Sequence, residues 1–234
     1  MRGTISRVVD PFLAEADRVL AQGYSAVLYG SAARADFVPG RSDINLMLVV
    51  DQLNAAVLRS LSRAFTGWRK ATPEPPLILS RAEWNRANDA FPIEITDMRL
   101  SYQVLRGSDP LAGVQVDLGD LRKALEREFR GKLLRLRQGY STYAPEPAAL
   151  GSLGLQSAAT ILVLLRGVLT VAGKPVPTDA TELAGAAAAL VGFEPEHLLH
   201  VVRHRSDREW RCGATEFENY MTAVEQTAQF VDQL

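Results

Sequence analysis

Gly30 and Ser31 close an apolar run, Val27-Leu28-Tyr29, and after eleven further residues Asp43 opens a second one, Ile44-Asn45-Leu46-Met47-Leu48-Val49. A Gly-Ser turn suits a phosphate. Glycine has no Cβ to block the approach, so backbone N–H groups and the serine hydroxyl can close on the oxygens, and a helix start favours an anion. An aspartate one strand away can hold a divalent cation against the same phosphates. The chemistry that these residue types support together is phosphoryl transfer.

The elements that must position them follow from periodicity. Val8, Val9, Phe12, Leu13, Ala16, Val19 and Leu20 recur at helical spacing, and Gly23 stops that helix. Residues 24–29 read as a strand running into the turn, 32–34 as a helix start, and Pro39-Gly40 as a break before a strand over 43–50. In that strand Ile44, Leu46 and Leu48 share one parity while Asp43 and Asn45 share the other. The polar pair is therefore expected on an exposed face, away from the core. A helix is expected over 53–65, with Leu53, Val57, Leu58, Leu61 and Ala64 as its apolar face. The stiff segment 73–76 leads into a strand over 77–79, and a further strand is expected over 92–98. There Ile93 and Ile95 suit the covered side, which puts Glu94 and Thr96 opposite and Asp97 on the core side or at the strand's end; a bulge would invert that assignment.

Arg106-Gly107-Ser108-Asp109-Pro110 is a turn cluster, and strand signals stop beyond it. Residues 118–140, 148–172, 179–191, 196–205 and 215–234 read as helices. The fold class is α+β: a small mixed sheet followed by an all-helical C-terminal bundle, divided as 1–117 and 118–234.

The string of an apolar residue, Gly30, Ser31, a variable stretch, then Asp43-Ile44-Asn45-Leu46 resembles the signature of the DNA polymerase β-like nucleotidyltransferase superfamily. The helical second half resembles, in architecture only, that of the kanamycin-type and minimal nucleotidyltransferases. The resemblance implies a small mixed sheet of nucleotidyltransferase type and transfer of a nucleoside monophosphate from ATP or another NTP to a hydroxyl, with Mg²⁺ or Mn²⁺. Gly30 and Ser31 would cradle phosphates, and Asp43 would hold metal. The family's third carboxylate, a metal ligand or a base for the attacking hydroxyl, falls on Glu94 by parity, with Asp97 second.

Asn45 departs from the pattern, since it stands where the family carries its second strand acid. It can offer a carbonyl oxygen to a cation but no negative charge, so Mg²⁺ should bind more weakly there. Two classes stay open: a transferase, and a nucleotide-binding regulator or interaction partner that has lost catalysis. A structural helical partner with a relic first domain is a third. The acceptor, whether small molecule, protein or RNA end, has no signpost, and neither does the oligomeric state.

On the basic helix 118–140, Leu121, Leu125, Phe129, Leu133, Leu136 and Tyr140 form one arc, and Arg122 and Lys132 project within it. One reading sends Lys132 across a cleft to a triphosphate. The other packs its stem and lets the ammonium reach water. His197, His200 and His204 share one side of a short helix; zinc is conceivable there, but surface histidines flanking Leu198, Leu199, Val201 and Val202 are the plainer account.

Composition bounds the rest. A 47% hydrophobic content supports a sizeable core, and a net charge of −1 argues against a general polyanion binder. Cys212 is the only cysteine, which excludes an intrachain disulfide and suits a reducing cytoplasm. The N-terminal residues lack the apolar core of a signal peptide, and the apolar run 158–171, broken by Arg166, is too short to span a bilayer. The expectation is a cytoplasmic protein without a membrane partner.

Overall fold

The computed structural model describes residues 2–34, 37, 43–72, 74–87, 89–207 and 209–234. The breaks expected at Pro39-Gly40 and Pro73 lie outside them. The chain divides into two compact units, Met1–Val116 and Asp117–Leu234. The architecture is α+β, a small mixed sheet and its helices followed by a mostly helical C-terminal region.

In the first unit, α1 (Arg2–Leu20) precedes β1 (Tyr24–Tyr29), a 3₁₀ turn (Gly30–Ala32) and β2 (Asn45–Val50). Next come α2 (Ala55–Ser60), α3 (Ser62–Trp68), β3 (Leu77–Ser80), α4 (Arg81–Trp84), α5 (Pro92–Leu100) and β4 (Tyr102–Arg106). The strand order is β3-β2-β1-β4, with β1 antiparallel to both of its neighbours and β2 parallel to β3.

Both faces of this sheet are covered. On one, Ala26, Leu28, Leu46, Leu48 and Val50 pack with Val9, Phe12, Leu13 and Ala16 of α1 and with Leu61, Ala64 and Trp68. Asp17 of α1 accepts a hydrogen bond from the Tyr24 hydroxyl and pairs with Arg106 at 3.2 Å, so the helix is also tied to β1 and β4 by polar contacts. On the other face Val27, Met47 and Val49 pack with Trp84 of α4, Ile95 and Met98 of α5, and Leu111. Trp84 donates its indole N–H to the Pro110 carbonyl at 2.8 Å, which fixes the loop after β4 over that core.

Three expectations are corrected here. Residues 92–98 form helix α5, and the fourth strand is 102–106 instead. Pro92 stands at the start of the helix, where its fixed φ helps and its missing N–H costs nothing, and Glu94 sits in the first turn. Glu94, Asp97, Arg99 and Leu100 are the less buried positions, while Ile93, Ile95, Thr96 and Met98 are buried, a division that fits a helix and not strict alternation. Second, the parity shared by Asp43 and Asn45 leads to solvent only at Asp43; Asn45 is half-buried, and the same parity continues into Met47 and Val49 beneath α4 and α5. Third, the expected helix over 53–65 is two short ones that meet at Leu61; Leu61 and Ala64 are buried, whereas Leu58 is exposed.

The second unit holds α6 (Leu118–Tyr143), α7 (Pro147–Val171), α8 (Ala180–Val191), α9 (Glu196–His204) and α10 (Ala214–Gln233). Asp117 and Asp179 cap α6 and α8 by accepting from backbone amides two or three residues on, and Gly192 ends α8 in the left-handed conformation. Helix α7 is longer than its uninterrupted apolar run, and by length and composition alone it could cross a membrane. Here it is the central helix of the unit: Leu150, Ile161, Leu164, Leu165 and Val168 are buried, and it packs against α6, α8, α9 and α10.

Candidate functional site

The site is built around the end of β1. Gly30 turns the chain with φ 69°, in the left-handed region that glycine enters without strain. A second constraint acts at the same position, because a Cβ there would stand 2.8 Å from Nδ2 of Asn45. The amides of Ala33 and Arg34 bond back to the Gly30 and Ser31 carbonyls at 3.0 and 3.1 Å, closing the single turn. The turn packs on β2.

Register decides what shares its face. Tyr29 is paired with Asn45 on β2 and with Tyr102 on β4, and directly opposed strand residues project to the same side. That side is the one α5 covers, so the acids of α5 and the strand ends meet. Tyr29, partly buried, has its phenol pushed up to about 12, first by burial and then by the negative charges of Asp97 and Glu94. It stays a neutral hydroxyl at any ordinary pH. Asp97 forms an ion pair with Arg34 at 3.8 Å, and both side chains are largely out of water, 13% and 8% exposed. Glu94 is exposed, and among the described residues no ion pair engages it.

The candidate residues of the first unit thus fall into a connected set: Gly30 against Asn45, Tyr29 opposite Asn45, Asp97 and Glu94 near the Tyr29 phenol, and Arg34 joining the turn to Asp97. Asp43 lies two residues before Asn45, ahead of β2 and exposed. Lys132 belongs to the second unit, where its ammonium donates to Thr160 Oγ1 at 3.4 Å. Arg122 reaches the Val231 carbonyl at 3.5 Å and Glu126 at 3.6 Å. Both cations on the α6 arc therefore have partners inside their own unit.

Sequence reasoning passed over Arg34 and gave Tyr29 only a place in the apolar string. The one signal at Arg34 was a cation directly after Ala32-Ala33, where a helix start would otherwise run apolar.

Two of the histidines meet side chains beyond their own helix. His200 Nε2 lies 3.2 Å from Glu216, and the rings of His204 and Trp210 stack at 5.0 Å. Among the described residues no three of His, Cys, Asp and Glu form a group able to hold a metal, here or in the first unit. Asp43 and the Asn45 amide offer one charged and one neutral oxygen donor. That set fits a single hydrated Mg²⁺, an ion that keeps several waters and usually takes one or two carboxylates plus substrate phosphates. It does not supply a protein cage for two.

These elements define a protein with a nucleotidyltransferase-type fold: a four-stranded mixed sheet bearing the glycine turn, followed by a helical region. In particular the chain is similar to the spectinomycin adenyltransferase AAD(9) from Enterococcus faecialis, whose structure contains ATP and spectinomycin; the TM-score is 0.59 at 11% identity, over 95% of this chain and 99% of the other. At that identity the likeness is one of fold. No family model matches the sequence, and no curated protein matches it either.

Proposed function

We propose that the chain binds a nucleoside triphosphate in its first unit and transfers the nucleoside monophosphate to a hydroxyl acceptor, breaking the α–β phosphoanhydride bond and releasing pyrophosphate. The observation that carries this reading is the left-handed Gly30 turn seated against Asn45, two residues after Asp43, in a fold shared with an adenyltransferase solved with ATP. The amides at Gly30 and Ser31 would hold phosphate oxygens. Asp43, with the neutral oxygen of Asn45 beside it, would hold the metal, and Glu94 would accept the proton of the attacking hydroxyl. Mg²⁺, when bound, supplies neutralisation of the triphosphate charge. The reading leaves Lys132 out of the phosphate-binding set, which its hydrogen bond to Thr160 within the second unit supports.

A second reading, a nucleotide-binding regulator without turnover, is favoured by the uncharged side chain at position 45. The two part in one experiment. The protein is incubated with α-labelled ATP, Mg²⁺ or Mn²⁺ and a panel of hydroxyl acceptors, while melting temperature with and without ATP reports binding. Label transfer by wild type that Asp43→Ala abolishes supports the transferase. An ATP-stabilised but inert wild type, with transfer gained in Asn45→Asp, supports the regulator. No effect of ATP on melting and no transfer in either protein would defeat both.

A further inference from the structure

We infer that Arg34 and Asp97 are a positioning pair that pins α5 to the phosphate turn, which leaves Glu94 as the carboxylate that faces the reacting groups. The inference rests on the nucleotide-binding reading of the Gly30–Ser31 turn and refines it, because it divides two acids of one helix between two tasks.

The argument starts from burial. Arg34 follows the turn by two residues, and its guanidinium is 8% exposed; Asp97 is 13% exposed and lies 3.8 Å from it. Two opposite charges so far out of water attract each other with little screening, so removing either weakens the hold on the other. A carboxylate so enclosed, with a guanidinium beside it, has little surface left to meet a substrate. Glu94 differs in each respect. It is exposed, no ion pair engages it among the described residues, and it sits one helical turn from Asp97 on the same side of α5.

Geometry then explains why the pair matters. α5 reaches the sheet through Ile95 and Met98, which fix its distance from Val27 and Met47 but, being apolar, allow it to slide and rotate. The end of β1 is held separately, by its ladders to β2 and β4. Arg34 to Asp97 is a charge contact between the two, one end just after the turn that would carry the phosphates and the other on the helix that carries Glu94. Tyr29, at the end of β1, feels the negative charge of both acids.

The test uses the full chain with Arg34→Ala, Arg34→Lys, Asp97→Asn, the double variant Arg34→Ala/Asp97→Asn, and Glu94→Gln. Amide hydrogen exchange of the peptide covering α5 is read first, because it needs no activity. Either pair-breaking substitution should speed exchange in α5 by about tenfold or more, and the double variant should add nothing further, as expected for two halves of one interaction. Arg34→Lys should retain most of the protection, and Glu94→Gln should leave it unchanged. Label transfer is read second: Arg34→Ala and Asp97→Asn should lower kcat by about tenfold with the KM for ATP moved less than about threefold, and Arg34→Lys should recover most of the rate.

Unaltered exchange in both pair variants, or additive effects in the double, would overturn the pairing. An Asp97→Asn variant that is inert beside an active Arg34→Ala would make Asp97 the reacting acid and overturn the division of roles. A KM for ATP raised in Arg34→Ala with kcat unchanged would make Arg34 a phosphate ligand and overturn it likewise. Wild-type chain that neither binds ATP nor transfers label would defeat the proposed function, while the exchange data would still decide the pair.

Discussion

Gly30 is constrained twice, by backbone conformation and by the Asn45 amide where a Cβ would go. Gly30→Ala is therefore expected to cost about 1–3 kcal/mol, from a non-glycine residue held at positive φ together with displacement of Asn45. Placing the same change in an Asn45→Ala background should recover the displacement part and leave the backbone part; urea unfolding of the four variants measures both. This pair of positions was legible in the sequence because the turn type and the strand that follows are local. Arg34 with Asp97 was not, because an ion pair between residues far apart in the chain leaves no spacing to read. Its members look like an ordinary helix-start cation and a strand-end acid until the fold brings them together.

The element most in need of explanation is α5. Ile93, Ile95 and Thr96 are β-branched, and alternate apolar residues over so short a run fit a strand as well as a helix turn. What decided otherwise was Pro92 at the first helical position and a second apolar set, Ile95 and Met98, three apart and buried beneath the sheet face. The true fourth strand, β4, went unread because it abuts the turn cluster at residues 106–110 and carries Gln103 and Arg106 on an edge. The long helices were legible, since α6 and α10 repeat their apolar residues over five or more turns at the length the pattern demands. If α5 is held chiefly by that face, Ile95→Ala should cost about 2–5 kcal/mol, as deletion of a well-buried aliphatic does, and the loss should appear as a lower urea midpoint with an unchanged slope.

At the scale of the whole chain, the division into Met1–Val116 and Asp117–Leu234 leads to the proposal that the second unit folds alone. Residues 117–234 expressed separately should give a helical circular dichroism spectrum and a cooperative melt; a featureless spectrum would refute it. Stability should also fall in alkali. Cys212 is fully buried, and burial first, then the charge of Glu216, raises its thiol from the ordinary 9.0 to about 12. A group that binds its proton more tightly when folded contributes stability that is complete below pH 9 and is lost as pH rises toward 12. Tyr24, Tyr29 and Tyr220, all raised with burial as the first cause, add to the same slope. Urea midpoints should hold between pH 7 and 9 and drop above, with Cys212→Ala flattening part of the fall, and a thiol reagent at pH 8 should label the native chain only once urea is added.

β1 is flanked by partner strands on both sides, and the Gly30 turn hangs from its end. A hinge placed there cannot swing by itself. If the turn grips a phosphate as proposed, the strand behind it is already fixed, so recognition at Gly30 should proceed as lock and key.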